Sequence, residues 1–304
     1  MSHPQSRLEA IVRSRTFSVT SEVVPPRSAD LGPVERQARE LVGYADAVNV
    51  TDNPKASAHM SPLAGAMAVA RSGLEPTLQL TVRDRNRLAI AADLLGGWAL
   101  GARNLLCLTG DPPSVGDEPE ATAVNDLTLH DVLGLARDLR EDGTLPSGAE
   151  IAIPPRYFIG VADSPLVERY APARLEAKLD SGAGFVMTQI AYDVEALSVW
   201  ADTVRGRGIF ERAAVIVGVA PLRSAKQARN LNENLPGVSV PTKLIESLEA
   251  AGPDAQAVGV AQCVEIVTAL QGLPGVSGVH VIGFGREEAV RQVIEGAGLL
   301  PRPS

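Results

Sequence analysis

The chain's 304 residues suffice for one large α/β domain or two smaller ones, and a 45% share of apolar residues supplies a sizeable core. A formal net charge of -8 argues against a nucleic-acid groove or an anionic membrane partner, while leaving room for a local basic pocket. No apolar run approaches the roughly 20 residues that span a bilayer, and Met1 to Arg15 lacks the apolar centre of a signal peptide, so a cytoplasmic protein is expected.

Phe17 to Val24 reads as a first strand, stopped by Pro25-Pro26. A helical stripe over Val34 to Tyr44 leads to a second strand, Ala47 to Val50, closing at Thr51-Asp52-Asn53. A helix around Leu63 to Arg71 precedes a third strand, Pro76 to Val82, and Asn86 to Leu100 is helical. The fourth strand is Leu105 to Leu108, an apolar run that ends abruptly at Thr109-Gly110-Asp111 before two prolines. A polar connection, Ser114 to Asn125, has the length of a lid or binding loop. Beyond it come a helix from Leu127 to Arg140, a fifth strand from Arg156 to Val161 and a helix from Ala171 to Asp180. The sixth strand, Gly184 to Thr188, ends at Gln189. Val194 to Arg207 is helical, and Ala213 to Val219 is the seventh strand. Helices over Ala225 to Asn232, Pro241 to Ala250 and Asp254 to Leu270 lead to a last strand, Val276 to Ile282, and a helix from Glu287 to Gly296.

Eight strands alternating with helices over about 290 residues is the arithmetic of a single-domain (β/α)8 TIM barrel. Residues 1–15 read as an N-terminal extension and 16–304 as the barrel. A doubly wound sheet is the rival, but Gly283-Phe284-Gly285 lacks the third glycine of a dinucleotide fingerprint. Apolar strands without polar alternation suit a sheet covered on both faces, whose ligands bind past the strands' C-terminal ends.

That rim would gather Glu22, Thr51 to Asn53, Gln79 to Arg83, Asp111, Asp163, Gln189, Arg223 and Arg286. Acids, amides, hydroxyls and cations together suit a polar heteroaromatic ring with an anionic tail. Blander readings stand beside this one: Asp111 as a turn residue, Gln189 as a backbone partner, and Arg83, Arg85 and Arg87 as a solvated face. Glu22 is the sharpest signal, since an acid near the end of an apolar strand is costly unless it is paired. Cys107 and Cys263 form no disulfide framework, and Cys107 reads as buried and inert. His3, His59, His130 and His280 have no ligand spacing, so no metal site is expected.

In order along residues 16 to 298, several stretches resemble the methylenetetrahydrofolate reductase family. They are Ser21-Glu22-Val23-Val24-Pro25-Pro26-Arg27, Val48-Asn49-Val50-Thr51-Asp52-Asn53 and Leu108-Thr109-Gly110-Asp111-Pro112. Asp180-Ser181-Gly182-Ala183, Thr188-Gln189-Ile190-Ala191-Tyr192-Asp193 and Val240-Pro241 follow. Leu78-Gln79-Leu80-Thr81 and Arg83-Asp84-Arg85-Asn86 are most similar to the branch found in acetogens and in homocysteine-methyltransferase fusions.

The resemblance implies a (β/α)8 barrel that reduces 5,10-methylenetetrahydrofolate to 5-methyltetrahydrofolate through FAD, with NADH or NADPH as donor. It implies that Glu22 is the general acid, that Asp111 lies by pterin and flavin, and that Gln189 and Arg286 bind substrate. Thr51, Gln79, Gly110, Asp111 and Lys178 match cofactor-side positions. The best-studied branch has arginine where this chain has Thr109, histidine at Gln79, tyrosine at Ala123 and a substrate-covering aromatic near Ala225. These departures leave two routes, a differently held FAD or direct hydride transfer from a nicotinamide. The rivals are a partner-dependent folate-binding subunit and another flavin barrel, such as a proline dehydrogenase-like enzyme. A homo-oligomer or an electron-donating partner subunit is compatible with either.

Overall fold

Each of the eight apolar runs forms a strand that pairs in parallel with its chain neighbours. In the computed structural model, which describes residues 4–303, the order β1 to β8 closes on itself. Closure is direct: Ser18 to Ser21 of β1 pair with Gly278 to Val281 of β8, which no open doubly wound sheet allows. His3, one of the scattered histidines, lies outside the described residues.

The elements run α1 (Arg7–Arg13), β1 (Ser18–Val23), α2 (Gly32–Leu41), β2 (Ala47–Val50), α3 (Pro62–Arg71), β3 (Pro76–Thr81), α4 (Arg87–Ala99) and β4 (Asn104–Leu108). They continue with α5 (Leu129–Glu141), β5 (Phe158–Asp163), α6 (Pro172–Asp180), β6 (Phe185–Ile190), α7 (Val194–Arg205), α8 (Ile209–Arg212) and β7 (Ala214–Val219). The last are α9 (Ala225–Asn234), α10 (Thr242–Ala250), α11 (Ala255–Gln271), β8 (Val276–Val281) and α12 (Glu287–Gly296). Side-chain caps set several helix starts: Asn86 for α4, Asp193 for α7, Ser224 for α9, and a reciprocal Thr128–Asp131 box for α5. None of the described helices is long and apolar enough to cross a membrane.

Outward strand residues such as Val19, Val48, Leu105 and Val217 pack against the helices in the main core. The interior is divided by height. Its lower end is a separate apolar plug of Ala47, Leu106, Phe158, Phe185, Met187 and Ile216, closed from below by Leu8 of α1. Glu75, just before β3, accepts from the backbone N–H groups of Arg7 and Leu8 at 2.7 and 3.1 Å, and so caps that helix from another element. Residues 7–13 of the expected extension thus form a helix seated under the barrel.

Above the plug the interior turns polar. Asn49 donates to Met187 Sδ across the barrel at 3.1 Å, which fixes its inward direction, and Glu22 is its register partner on β1. Strand β6 carries a bulge between Met187 and Ile190, where the Thr188 hydroxyl accepts from the Gly218 N–H at 3.0 Å. A Cβ on Gly218 would lie 2.6 Å from the Thr188 carbonyl oxygen, so only glycine fits that approach.

Candidate active site

The inner wall below the mouth is built by β1 and β8. Alternation along Ser18–Val23 sends Val19 and Val23 into the helical core and leaves Thr20 and Glu22 inside. Glu22 Oε2 lies 3.6 Å from Nε2 of His280, and the Glu22 side chain is 17% exposed, so this acid is enclosed but reachable. Two nearby interior atoms, Asn49 Oδ1 and Thr77 Oγ1, are buried with no partner. Such atoms are costly unless something polar meets them.

The rim over β2, β3 and β4 is an ion-pair network, and here the expected solvated arginine face is corrected. The Arg83 and Arg85 side chains are 5% and 13% exposed, whereas Arg87 is 65% exposed. Arg85 grips both Asp52 oxygens at 2.7 and 3.1 Å and bonds Asp93 at 2.6 Å. Burial works against its charge, but these carboxylates outweigh burial and raise its pKa. Asp52 also accepts from the Thr81 N–H and hydroxyl. Arg83 forks onto Asp84 and donates to the carbonyls of Asp111 and Asn53, tying the loops after β2 and β4 together.

Gly110 sits in this junction at φ +84°. The Asp111 carboxylate, on the exposed loop, accepts from the Lys55 N–H at 3.0 Å. Glu22 thus stands near the end of β1 and Asp111 on the loop beyond β4, facing different partners: His280 inside for one, the loop after β2 for the other. That loop is strained, with Asn53, Lys55 and Ala56 at φ of 44, 55 and 51°. The long connection after β4 lies against it, fastened by Arg27 to Asp117, by the Ala58 N–H to Asp117, and by the Val124 N–H to the Arg83 carbonyl.

Lys178 belongs to a cavity of about 410 Å³ beside the ends of β4 and β5, lined also by Thr109, Asp163, Arg169, Tyr170 and Arg174. Its Nζ donates to the Ala162 carbonyl at 2.6 Å, and the Tyr170 hydroxyl donates to Asp163 at 2.9 Å. Burial lowers the Lys178 pKa and raises that of Asp163, and the attraction between the two only partly offsets this. Cys107 also lines it, and burial lifts its thiol to about 12, which makes it inert as expected.

These residues fit a dinucleotide such as FAD. Three cations can meet a diphosphate and Asp163 can accept from ribose hydroxyls. Thr51, just past β2, does not line this cavity; its Oγ1 is buried and unpartnered. Gln79 is the register partner of Leu106, a plug residue, and so faces the interior.

Gln189 is taken up locally, donating to the Pro236 carbonyl at 3.2 Å and accepting from the Ile190 N–H at 3.0 Å. Arg286 donates through Nη2 to the Pro221 carbonyl at 2.5 Å, while its Nη1 is buried and unpartnered. Burial, then the neighbouring Arg223, lowers its pKa, and the equally unpartnered Tyr192 hydroxyl lies near it. An anionic group here would give Arg286 Nη1 and the Tyr192 hydroxyl the acceptor they lack. Sequence reasoning did not single out His280, Tyr170 or Tyr192. His280 carried a signal as a polar residue on an inward position of the last strand, and Tyr192 lies inside one of the stretches that carry the resemblance.

A family model described as methylenetetrahydrofolate reductase matches residues 7–298. A probable methylenetetrahydrofolate reductase (NADPH) of Caenorhabditis elegans is 25% identical over 96% of this chain and 44% of its own length. Methylenetetrahydrofolate reductase 1 of Schizosaccharomyces pombe is 28% identical over 75% of this chain and 36% of its own length. The chain thus spans less than half of these longer relatives. The 5,10-methylenetetrahydrofolate reductase of Salmonella typhimurium is nearer in size, 26% identical over 76% of this chain and 73% of its own. Among solved structures, an uncharacterised Clostridium thermocellum protein that binds two copies of 5-methyl-5,6,7,8-tetrahydrofolic acid superposes with TM-score 0.64 at 12% identity. That superposition covers 97% of this chain and all of the other, and shows a shared fold.

Proposed function

The chain belongs to the methylenetetrahydrofolate reductase family, and from that premise we propose that it reduces 5,10-methylenetetrahydrofolate to 5-methyltetrahydrofolate with NADH or NADPH as hydride source. The observation that carries this reading is Glu22, an enclosed acid at the inner wall of the barrel mouth, 3.6 Å from a buried imidazole. Ring opening of the methylene bridge needs a proton at a folate nitrogen before the carbon can accept hydride. Glu22 donates that proton, and the hydride then completes the methyl group.

The surrounding groups bind and orient. Arg286 Nη1, Arg223 and the Tyr192 hydroxyl take the anionic tail of the folate. Gln79 and Gln189 offer amide edges to the pterin; Gln189 does so by exchanging its Pro236 contact. Lys178, Arg169 and Arg174 hold the dinucleotide diphosphate, with Thr51 and Gly110 at its ring end. When bound there, FAD supplies a carrier for hydride between the nicotinamide and the methylene carbon.

A second reading, direct transfer from the nicotinamide without flavin, is favoured by one feature. The Lys55 N–H already holds one oxygen of the Asp111 carboxylate, the residue that the resemblance places by pterin and flavin.

Purified protein, its visible spectrum and its oxidation of NADH and NADPH with methylenetetrahydrofolate test both. A yellow protein bleached by the donor supports FAD; a colourless active one supports direct transfer. Glu22→Gln is expected to lose about 10²–10⁴-fold in kcat while still binding folate. Full turnover in that variant overturns the acid role. Protein that binds folate yet oxidises neither donor is instead a subunit that needs a partner for electrons.

A further inference from the structure

Thr20, Glu22 and His280 form a line inside the barrel. Parallel pairing sets Thr20 level with His280, and Glu22 follows two residues on, on the same face. His280 is 3% exposed, with Nδ1 3.0 Å from Thr20 Oγ1 and Nε2 3.6 Å from Glu22 Oε2. Thr20 decides which ring nitrogen carries the hydrogen. Its hydroxyl also lies 3.4 Å from the Val279 carbonyl, which can only accept. The nearer acceptor is Nδ1, so the hydroxyl donates to the ring and the hydrogen of the neutral imidazole sits on Nε2. Nε2–H then faces Glu22 Oε2.

We propose that His280, its tautomer locked by Thr20, is the positioning residue of the Glu22 acid. This deepens the reductase reading and rests on it. Nε2–H faces Oε2 at 3.6 Å, a gap that closes to a hydrogen bond as charge develops on the carboxylate, and leaves Oε1 as the oxygen that carries the proton. One proton leaves Oε1 for the folate nitrogen as that nitrogen's bond to the methylene carbon breaks, and hydride from the reduced nicotinamide then reaches the carbon. The carboxylate left behind is bonded by Nε2–H, and water entering at the mouth restores its proton.

Two amides separate this role from a structural one, because an asparagine amide overlays Nδ1 and a glutamine amide reaches the place of Nε2. His280→Gln is expected to keep kcat within about tenfold, and His280→Asn to lose about 100-fold, with folate KM unchanged in both. A histidine that merely fills the core gives the reverse order, since asparagine preserves the Thr20 bond. His280→Asn as active as His280→Gln overturns the inference. Should either variant fail to fold by circular dichroism, Thr20→Val removes the lock with His280 in place; kcat then falls and Thr20→Ser restores it. Unchanged kcat in Thr20→Val likewise overturns it. Glu22→Gln run in parallel separates the two levels: full turnover there sinks the acid itself, whereas an inactive Glu22→Gln beside equal His280 variants sinks only the positioning role.

Discussion

Gly110 shows how tightly single residues are constrained at the rim. At φ +84°, an added Cβ would stand 3.1 Å from Thr81 Cβ and 3.4 Å from Arg83 Cβ. Thr81 holds Asp52 through its N–H and hydroxyl, so a push there reaches the Arg85 network. Gly110→Ala is expected to cost about 1–3 kcal/mol from the left-handed backbone and the displaced neighbour. A urea midpoint equal to the parent's would contradict this. Residue-level chemistry was only partly legible in the sequence. Glu22 stood out because a charge interrupts an apolar strand. Arg83 and Arg85 did not, because a run of charges looks solvated until Asp52 and Asp93 arrive from other elements. The bonds that hold Gln189 and Asp111 are backbone contacts from loops, which no side-chain pattern reveals.

The strands were the most legible elements, since eight apolar runs each end at a polar or proline stop. Strand β5 was expected to finish at Val161 and instead runs to Asp163. Its start is delayed because Tyr157 is spent on other contacts, its hydroxyl on the Leu94 carbonyl and its own carbonyl on Arg140. Helix α1 was missed. Seven residues are too few to form a helix alone in water, and its anchors, Glu75 and Arg140, lie far along the chain. Its value lies in Leu8, fully buried against Leu106, Phe185 and Ile216. Leu8→Ala is expected to destabilise the fold by about 2–5 kcal/mol, read as a lowered urea midpoint with an unchanged slope. A midpoint within error of the parent's would show that the plug closes without it.

At the scale of the molecule, closure through β1 and β8 leaves no sheet edge and makes each strand depend on two neighbours. Trp98 on α4 and Trp200 on α7 lie on helices well separated in the ring order, so tryptophan fluorescence samples more than one sector. Fluorescence and far-ultraviolet circular dichroism are expected to report one coincident urea transition. Separate midpoints would mean that part of the ring opens first. The apolar stopper under this ring has a further consequence. A vessel sealed at its base has a single doorway, so under the proposed function the folate, the hydride donor and every replenishing proton pass the same threshold. The two large reactants must therefore either take turns there or lie stacked, one behind the other.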